Sequence, residues 1–369
     1  MNIRIEVHRS IEAFQTLERS WRDLFVRSVN QTIFLSWEWS YCWWQLLKST
    51  EKRSSLLLLS GWDNDVLVGI LPLYELHSPT GGHQIHFLGS HPRPEYDFYP
   101  EHLGILTDPA HTANAPAQLT EALFNLFSPN IPSMTLQRMN RNFMGLDILP
   151  HRLPVHRTHS EHTHIANLTN GFDSYLSRLT ASRRSRYRRL LRQAERLELE
   201  LSIPCSMHER KRLLQSIMKI HQKDWQQRGQ PGAFHSSSKV KFHENLVDLL
   251  GHNPAPMVAG LYEQKKLLYG IYGFQCERNF EFYQSGFDKD AQTEVKTPGI
   301  LAHLLLMIEL NKRGVVFYDF LSGEQRYKRE LSTETHELCT LTFHGDSLMG
   351  RVHSGLDYLR QVRHRFVSA

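Results

Sequence analysis

The stretch Tyr318-Asp319-Phe320-Leu321-Ser322-Gly323-Glu324-Gln325-Arg326-Tyr327-Lys328 brings two carboxylates, two phenols and an ammonium into a short span. An apolar strand ends at Leu321, and Gly323 releases the chain into a turn that carries Glu324, Tyr327 and Lys328. Strand ends are where α/β proteins expose reactive side chains. Asp319 or Glu324 there can take the proton from an attacking amine or hydroxyl, and Lys328 can neutralise charge on an acyl or phosphoryl oxygen. A solvated polar turn has the same composition. His221 is a further candidate base, because an unperturbed imidazole titrates at a pKa of about 6.5. Upstream, Ser285-Gly286-Phe287-Asp288 followed by Thr297-Pro298-Gly299 reads as a strand, a loop and a helix start. Proline in the first turn leaves backbone N–H groups pointing outward at the positive end of the helix dipole, so Thr297, Pro298 and Gly299 are candidates to hold a pyrophosphate. An ordinary helix start is the plainer reading.

Two further segments could shape a substrate cleft. In His221-Gln-Lys-Asp-Trp225-Gln-Gln-Arg228-Gly-Gln-Pro-Gly-Ala-Phe234 a helix runs into an Arg-Gly and Pro-Gly loop. Trp225, Arg228 and Phe234 could line or lid a cleft, or the two rings could be core anchors. Between Arg183 and Arg196 seven arginines fall in fourteen residues, and Arg184, Arg188 and Arg192 recur at helical spacing. That stripe could grip tRNA or the phosphates of a nucleotide-linked donor, form an anion-binding wall of the acceptor cleft, or be a solvated face. The four tryptophans Trp37, Trp39, Trp43 and Trp44 look like the buried face of a helix, with an aromatic floor for a sugar as the alternative. His156, His159, His162 and His164 cluster without a recognisable set of acidic or cysteine partners, so no metal is expected.

These residues need elements to position them. The runs Ser55–Trp62, Val66–Leu76 and Gln84–Gly89, separated by acidic and glycine turns, predict an antiparallel meander, followed by a helix near Pro116–Phe127 and a strand at Met134–Met139. The order recurs: Met257–Tyr262, Leu267–Gln275 and Phe280–Phe287, a helix over Pro298–Lys312, and a strand at Val315–Leu321. A degenerate internal duplication is the reading, with chance recurrence of a common meander-then-helix order as the alternative and the His- and Pro-rich segment His151–Thr169 as the boundary. A length of 369 residues suits two such units, and 40% hydrophobic with 22% charged residues is ordinary for folded domains. The net charge of +5 selects no partner. Four scattered cysteines without a CxxC pair argue against a disulfide framework and a thiolate metal site. The N-terminal residues lack an apolar signal region, and no run approaches the roughly eighteen apolar residues of a membrane span. A cytoplasmic location is therefore expected.

The ordered set of motifs resembles the GNAT-like acetyltransferase family often found near cellulose and exopolysaccharide biosynthesis genes, itself similar to the Fem-type tandem-GNAT transferases. In the first half the resemblance rests on Phe34-Leu35-Ser36-Trp37-Glu38-Trp39, Trp43-Trp44, Leu67–Leu73, Phe87-Leu88-Gly89-Ser90 and Tyr96-Asp97-Phe98. In the second half it rests on Tyr175-Leu176, His221, Trp225, Arg228-Gly229, Phe234, Gly286-Phe287-Asp288, Pro298-Gly299, Asp319-Phe320, Gly323 and Tyr327-Lys328. It implies an α/β (α+β) chain of two tandem GNAT-like folds, residues 1–155 and 156–369, each a mixed, mostly antiparallel sheet flanked by helices. It also implies direct transfer of an acyl group from acyl-CoA to an amine or hydroxyl of a small-molecule or saccharide acceptor. Fem-type relatives keep a lysine at the active site in the final Tyr-Lys-like segment, which corresponds to Lys328. Tyr283, Asp288 and Tyr327 join Trp225, Arg228, Phe234, Arg184 and Arg188 as candidate substrate-binding residues. Glu294-Val295-Lys296-Thr297-Pro298-Gly299 departs from the usual pyrophosphate loop in having one glycine. Fem-type enzymes use aminoacyl-tRNA, so that donor is the alternative, and an inactive binding module is a third reading.

Overall fold

One pattern of strand pairing is laid down twice along the chain. The structure, a computed structural model, describes residues 3–77, 83–127, 133–140, 155–291 and 293–344, and the chain divides into two compact units. Among the described residues, the first comprises those up to Glu161 together with Glu337 to His344, and the second those from His162 to His336.

In the first unit, strand β1 (Arg4–His8) precedes helices α1 (Ile11–Thr16), α2 (Glu18–Arg27) and α3 (Trp37–Thr50). Then come β2 (Ser54–Asp63), β3 (Val66–His77), β4 (His83–Phe87), the short β5 (Leu106–Thr107), α4 (Asn114–Phe127) and β6 (Ser133–Asn140). The pairing order is β1-β2-β3-β4-β6, with β5 beside β3, and every pair but β4–β6 is antiparallel. β2 and β3 are nearly continuous apolar runs because they are central strands, buried on both faces. Of the two readings open for the tryptophans, the helix face holds. Trp37, Trp39, Trp43 and Trp44 are all buried, and the Trp37 and Trp43 indoles donate to the carbonyls of Phe14 and Tyr96.

In the second unit, β7 (Val155–Asn167) leads to α5 (Phe172–Arg178), α6 (Ala181–Arg196), β8 (Glu200–Ser202), α7 (Met207–Gln227) and α8 (Ser237–Leu249). The meander β9 (Ala255–Glu263), β10 (Lys266–Cys276) and β11 (Asn279–Phe287) follows, then α9 (Pro298–Lys312), β12 (Phe317–Ser322) and α10 (Arg326–Leu331), after which β13 (Glu334–Phe343) carries the chain back to the first unit. The order is β7-β12-β11-β10-β9-β8, and only β11–β12 is parallel. The β9–β10 hairpin turns on Gln264 and Lys265, both left-handed (φ 48° and 67°), as a two-residue turn matching strand twist requires. Leu213, Leu214, Ile217, Met218 and His221 form the buried face of α7, and α7 packs on β10 and β11, where Gly270 and Gly286 leave room for Ile217 and Ile220.

The two units thus share one plan: antiparallel strands, one parallel pair, and an antiparallel strand beyond it. That last strand is exchanged in chain order. In the first unit it is β13, whose residues from Leu338 to Phe343 pair with Asn140 to Met134 of β6. In the second it is β7, which pairs with β12. The sequence-based division at 155/156, with everything downstream in the second half, differs from this arrangement because strand partnership is set by hydrogen-bonding edges rather than by chain order. Among the described residues no helix is long and apolar enough to cross a membrane.

Candidate active site

Parallel pairing of β11 with β12 stops at Glu281↔Asp319, although β11 runs on to Phe287 and β12 to Ser322. The cause is an irregularity in each strand. In β11, Phe282 faces Gly273 and Gln284 faces Tyr272, leaving Tyr283 as an extra residue. In β12 the register against β7 shifts between Asp319 and Ser322, and Leu321 sits in the left-handed region at φ 59°. Bulges add twist and bend a strand away from its partner, so two of them side by side open a wedge. Asp319 holds its side of the bend by accepting the Leu321 N–H at 2.7 Å.

Side chains from four elements converge where the strands part. Phe282 (β11), Phe320 (β12), His303 (α9) and Tyr327 (α10) form one ring cluster, with His303 4.7 Å from Phe282 and 5.2 Å from Phe320. Tyr327 stacks on His303 at 5.6 Å with 12° between planes. Lys328 is buried, its Nζ lying 5.9 Å from the Phe282 ring centre and donating to the Ser322 carbonyl. Burial drives the His303 imidazole down to about 3, and the Lys328 charge pushes the same way. His303 is therefore neutral. Its Nδ1 shares a 2.7 Å hydrogen bond with the Tyr318 hydroxyl, and its Nε2 has no hydrogen-bond partner among the described residues. Burial holds the Tyr327 phenol well above its ordinary value, so it keeps its proton. On β7, Thr163 and His164 are also buried, and burial followed by the Lys328 charge lowers the His164 imidazole.

The sequence-derived candidates divide by place. Lys328, Tyr327 and Asp319 lie at the wedge. Glu324 does not: its side chain is 93% exposed and pairs with Arg329 at 2.9 Å. His221 is buried, and both of its ring nitrogens are in use. Nδ1 lies 2.7 Å from the Ser285 carbonyl, which can only accept, while the Ala233 N–H donates to Nε2 at 3.2 Å. It is a neutral clasp between β11 and the loop after α7, with burial lowering its affinity for a proton. Trp225 stacks on it at 5.7 Å, Arg228 pairs with Asp224 at 2.6 Å, and Phe234 is buried between His221 and His243. Tyr283, on the bulge, meets His243 and Tyr272 on the α8 side of the sheet. Asp288 caps the turn after β11 by accepting the Asp290 N–H.

Thr297 is the N-cap residue of α9 and makes no side-chain cap bond, and Pro298 occupies the first turn. Gly299 is required by the Tyr269 ring, which a Cβ there would meet at 2.9 Å. Tyr269 in turn donates to Ser285 at 2.8 Å, so this helix start adjoins the free half of β11. Arg184 bonds the Ser177 carbonyl at the end of α5. Arg188 is exposed and makes no ion pair among the described residues. His303 and Tyr269 were not singled out by sequence reasoning. The available signal for His303 is one polar residue inside the apolar run Ile300–Ile308.

Comparison with known proteins agrees with this fold. Residues 181–329, the greater part of the second unit, match the acetyltransferase (GNAT) domain family. Three solved structures share the fold over most of the chain. FemX aligns with a TM-score of 0.58 at 10% identity, covering 87% of this chain and 95% of its own. The C-terminal domain of a putative lysylphosphatidylglycerol synthetase from Agrobacterium fabrum aligns at 0.52 and 10% identity, covering 94% and 96%. The L-PGS structure from Bacillus licheniformis aligns at 0.50 and 9% identity, covering 85% and 95%. No curated protein matches the sequence. The chain is thus a double GNAT-like fold, and residues 181–329 of its second unit match the GNAT acetyltransferase domain family.

Proposed function

We propose that this chain transfers an acyl group from acyl-CoA to an amine or hydroxyl of a small-molecule or saccharide acceptor, with the chemistry at the wedge between β11 and β12. The observation that carries this reading is the convergence of Lys328, Tyr327 and His303 where the two parallel strands separate. In such a transfer the acceptor nitrogen or oxygen attacks the thioester carbonyl, the C–S bond breaks, the acceptor loses a proton and the thiolate gains one. The Lys328 ammonium, held by the Ser322 carbonyl in a desolvated setting, stabilises the developing oxyanion. Tyr327, whose phenol stays protonated, is placed to donate a hydrogen bond to the leaving sulfur. Asp319 is retained as the base, with the Leu321 N–H fixing its orientation. His221 and Glu324 are set aside by the engagement of the one and the exposure of the other. At the start of α9 Thr297 makes no side-chain cap bond, which leaves first-turn N–H groups such as that of Gly299, beside Pro298, suited to the donor's pyrophosphate.

A second donor, aminoacyl-tRNA, is favoured by one observation. Arg188, Arg189 and Arg192 are exposed on α6 without ion-pair partners among the described residues, whereas Arg186 and Arg196 are paired with Glu330 and Glu294. Thermal-shift titration with acetyl-CoA, longer acyl-CoA and deacylated tRNA separates the readings. Stabilisation by an acyl-CoA supports the leading one, stabilisation by tRNA alone supports the second, and none favours a binding module. Lys328→Ala should lower transfer by about 10²-fold or more while the fold is kept. Turnover within a few-fold of wild type would remove Lys328 from the mechanism.

A further inference from the structure

Far along the chain from the wedge residues, the end of the β3–β4 hairpin gathers a second set of chemically competent side chains. Glu75 and His77 are two residues apart on β3 and so project from the same face. His83 on β4 is the direct cross-strand partner of His77. One donor atom from each of the three lies within 4.8 Å of the other two, and they are the one such group of three among the described residues. The histidines that attract attention in the sequence behave differently, since His159 pairs with Glu161 at 3.3 Å in a two-member contact.

We propose that Glu75, His77 and His83 bind a divalent transition metal of the zinc class. Two imidazoles and one carboxylate are a borderline N2O donor set, suited to Zn²⁺ and to Co²⁺ or Ni²⁺ rather than to Mg²⁺ or Ca²⁺. Bonds of about 2.0–2.1 Å in a tetrahedral site place ligand atoms roughly 3.4 Å apart. His77 Nε2 and Glu75 Oε2 are 3.8 Å apart, a gap that a small side-chain adjustment closes. The carboxylate is prepared for the task. Glu75 is buried, and Arg9 donates to its other oxygen at 3.0 Å, which orients the group as an outer-shell partner orients a metal ligand. The Ser55 hydroxyl, 3.2 Å from His77 Nε2, must turn away when metal binds and is then available to a metal-bound water. His83 is exposed and His77 half-buried, so an ion can enter from solvent and keep water on its outer positions. The bound ion would tie β3 to β4 across two strands.

The test uses tag-free, chelator-stripped full-length protein titrated with Zn²⁺ by calorimetry, and with Co²⁺ as an absorption probe. One equivalent should bind. His83→Ala, on an exposed side chain whose loss leaves folding intact by circular dichroism, should weaken binding at least about tenfold, because losing even an outer-shell partner costs that much. His77→Ala should do the same. Absence of stoichiometric binding by the wild type overturns the proposal, and so does unchanged affinity in the His77→Ala/His83→Ala double variant. The acyl-transfer reading stands or falls separately, since neither histidine belongs to the second unit.

Discussion

Both ring nitrogens of His221 are taken by backbone groups, and this decides its role more firmly than its residue type does. A histidine on the apolar face of a helix can be a base or a satisfied core group, and sequence spacing does not separate the two. The partners do. His303 is the opposite case: in sequence it interrupts an apolar helix, in the structure it is an imidazole boxed by rings with one nitrogen unpartnered among the described residues. Burial also gives these residues a measurable signature. His86, His243 and His303 are pushed down to about 3 and His91 to about 4. Above a pH of about 6.5 folded and unfolded forms are equally neutral at these positions and stability does not depend on them. Below it the unfolded chain takes up protons that the folded one refuses, so stability falls as pH drops from about 6.5 toward 3–4, by up to ~1.4 kcal/mol per pH unit for each group. Urea midpoints measured at pH 7 and pH 5 should show a clear loss at the lower pH. An unchanged midpoint would mean that these rings reach solvent in the folded state.

At the scale of elements, local chemistry was legible and irregularity was not. The helix predicted over Pro298–Lys312 matches α9, because proline at the start and a lysine-ended apolar run are local signals. The strand predicted at Phe280–Phe287 matches β11 to within a residue. Its bulge at Tyr283 was invisible, since an extra residue is defined only against a partner strand. That bulge and the bend at Leu321 create the wedge, and so the candidate site depends on two features that periodicity does not carry. The seat of α7 on this strand is equally exact. A Cβ at Gly286 would lie 2.6 Å from the Ile217 carbonyl oxygen, a backbone atom that yields only if the helix shifts. Gly286→Ala should therefore destabilise the protein by about 1–3 kcal/mol, read as a fall in thermal midpoint. A midpoint equal to wild type would show that α7 floats on the sheet.

For the molecule as a whole, the exchange of outer strands makes each unit depend on a segment distant in sequence. Pairing of β13 with β6 joins residues about two hundred positions apart, as in the Arg138 N–H donating to Thr340 at 3.0 Å. Ending the chain at His336 should leave an open edge on β6, and amides from Met134 to Asn140 should lose protection in hydrogen exchange. Retained protection there would show that β6 is held without its antiparallel neighbour. By itself the sequence determined the recurring meander, helix and strand of each half and the mixed α/β class, because hydrophobic period and turn residues act over a few positions. Only the tertiary structure decided that residues from Glu337 return to the first unit, that Glu324 faces solvent while His303 closes the wedge, and that Glu75, His77 and His83 share one face. Those outcomes depend on which backbone edges and polar atoms find partners, and partnership is a property of space rather than of spacing.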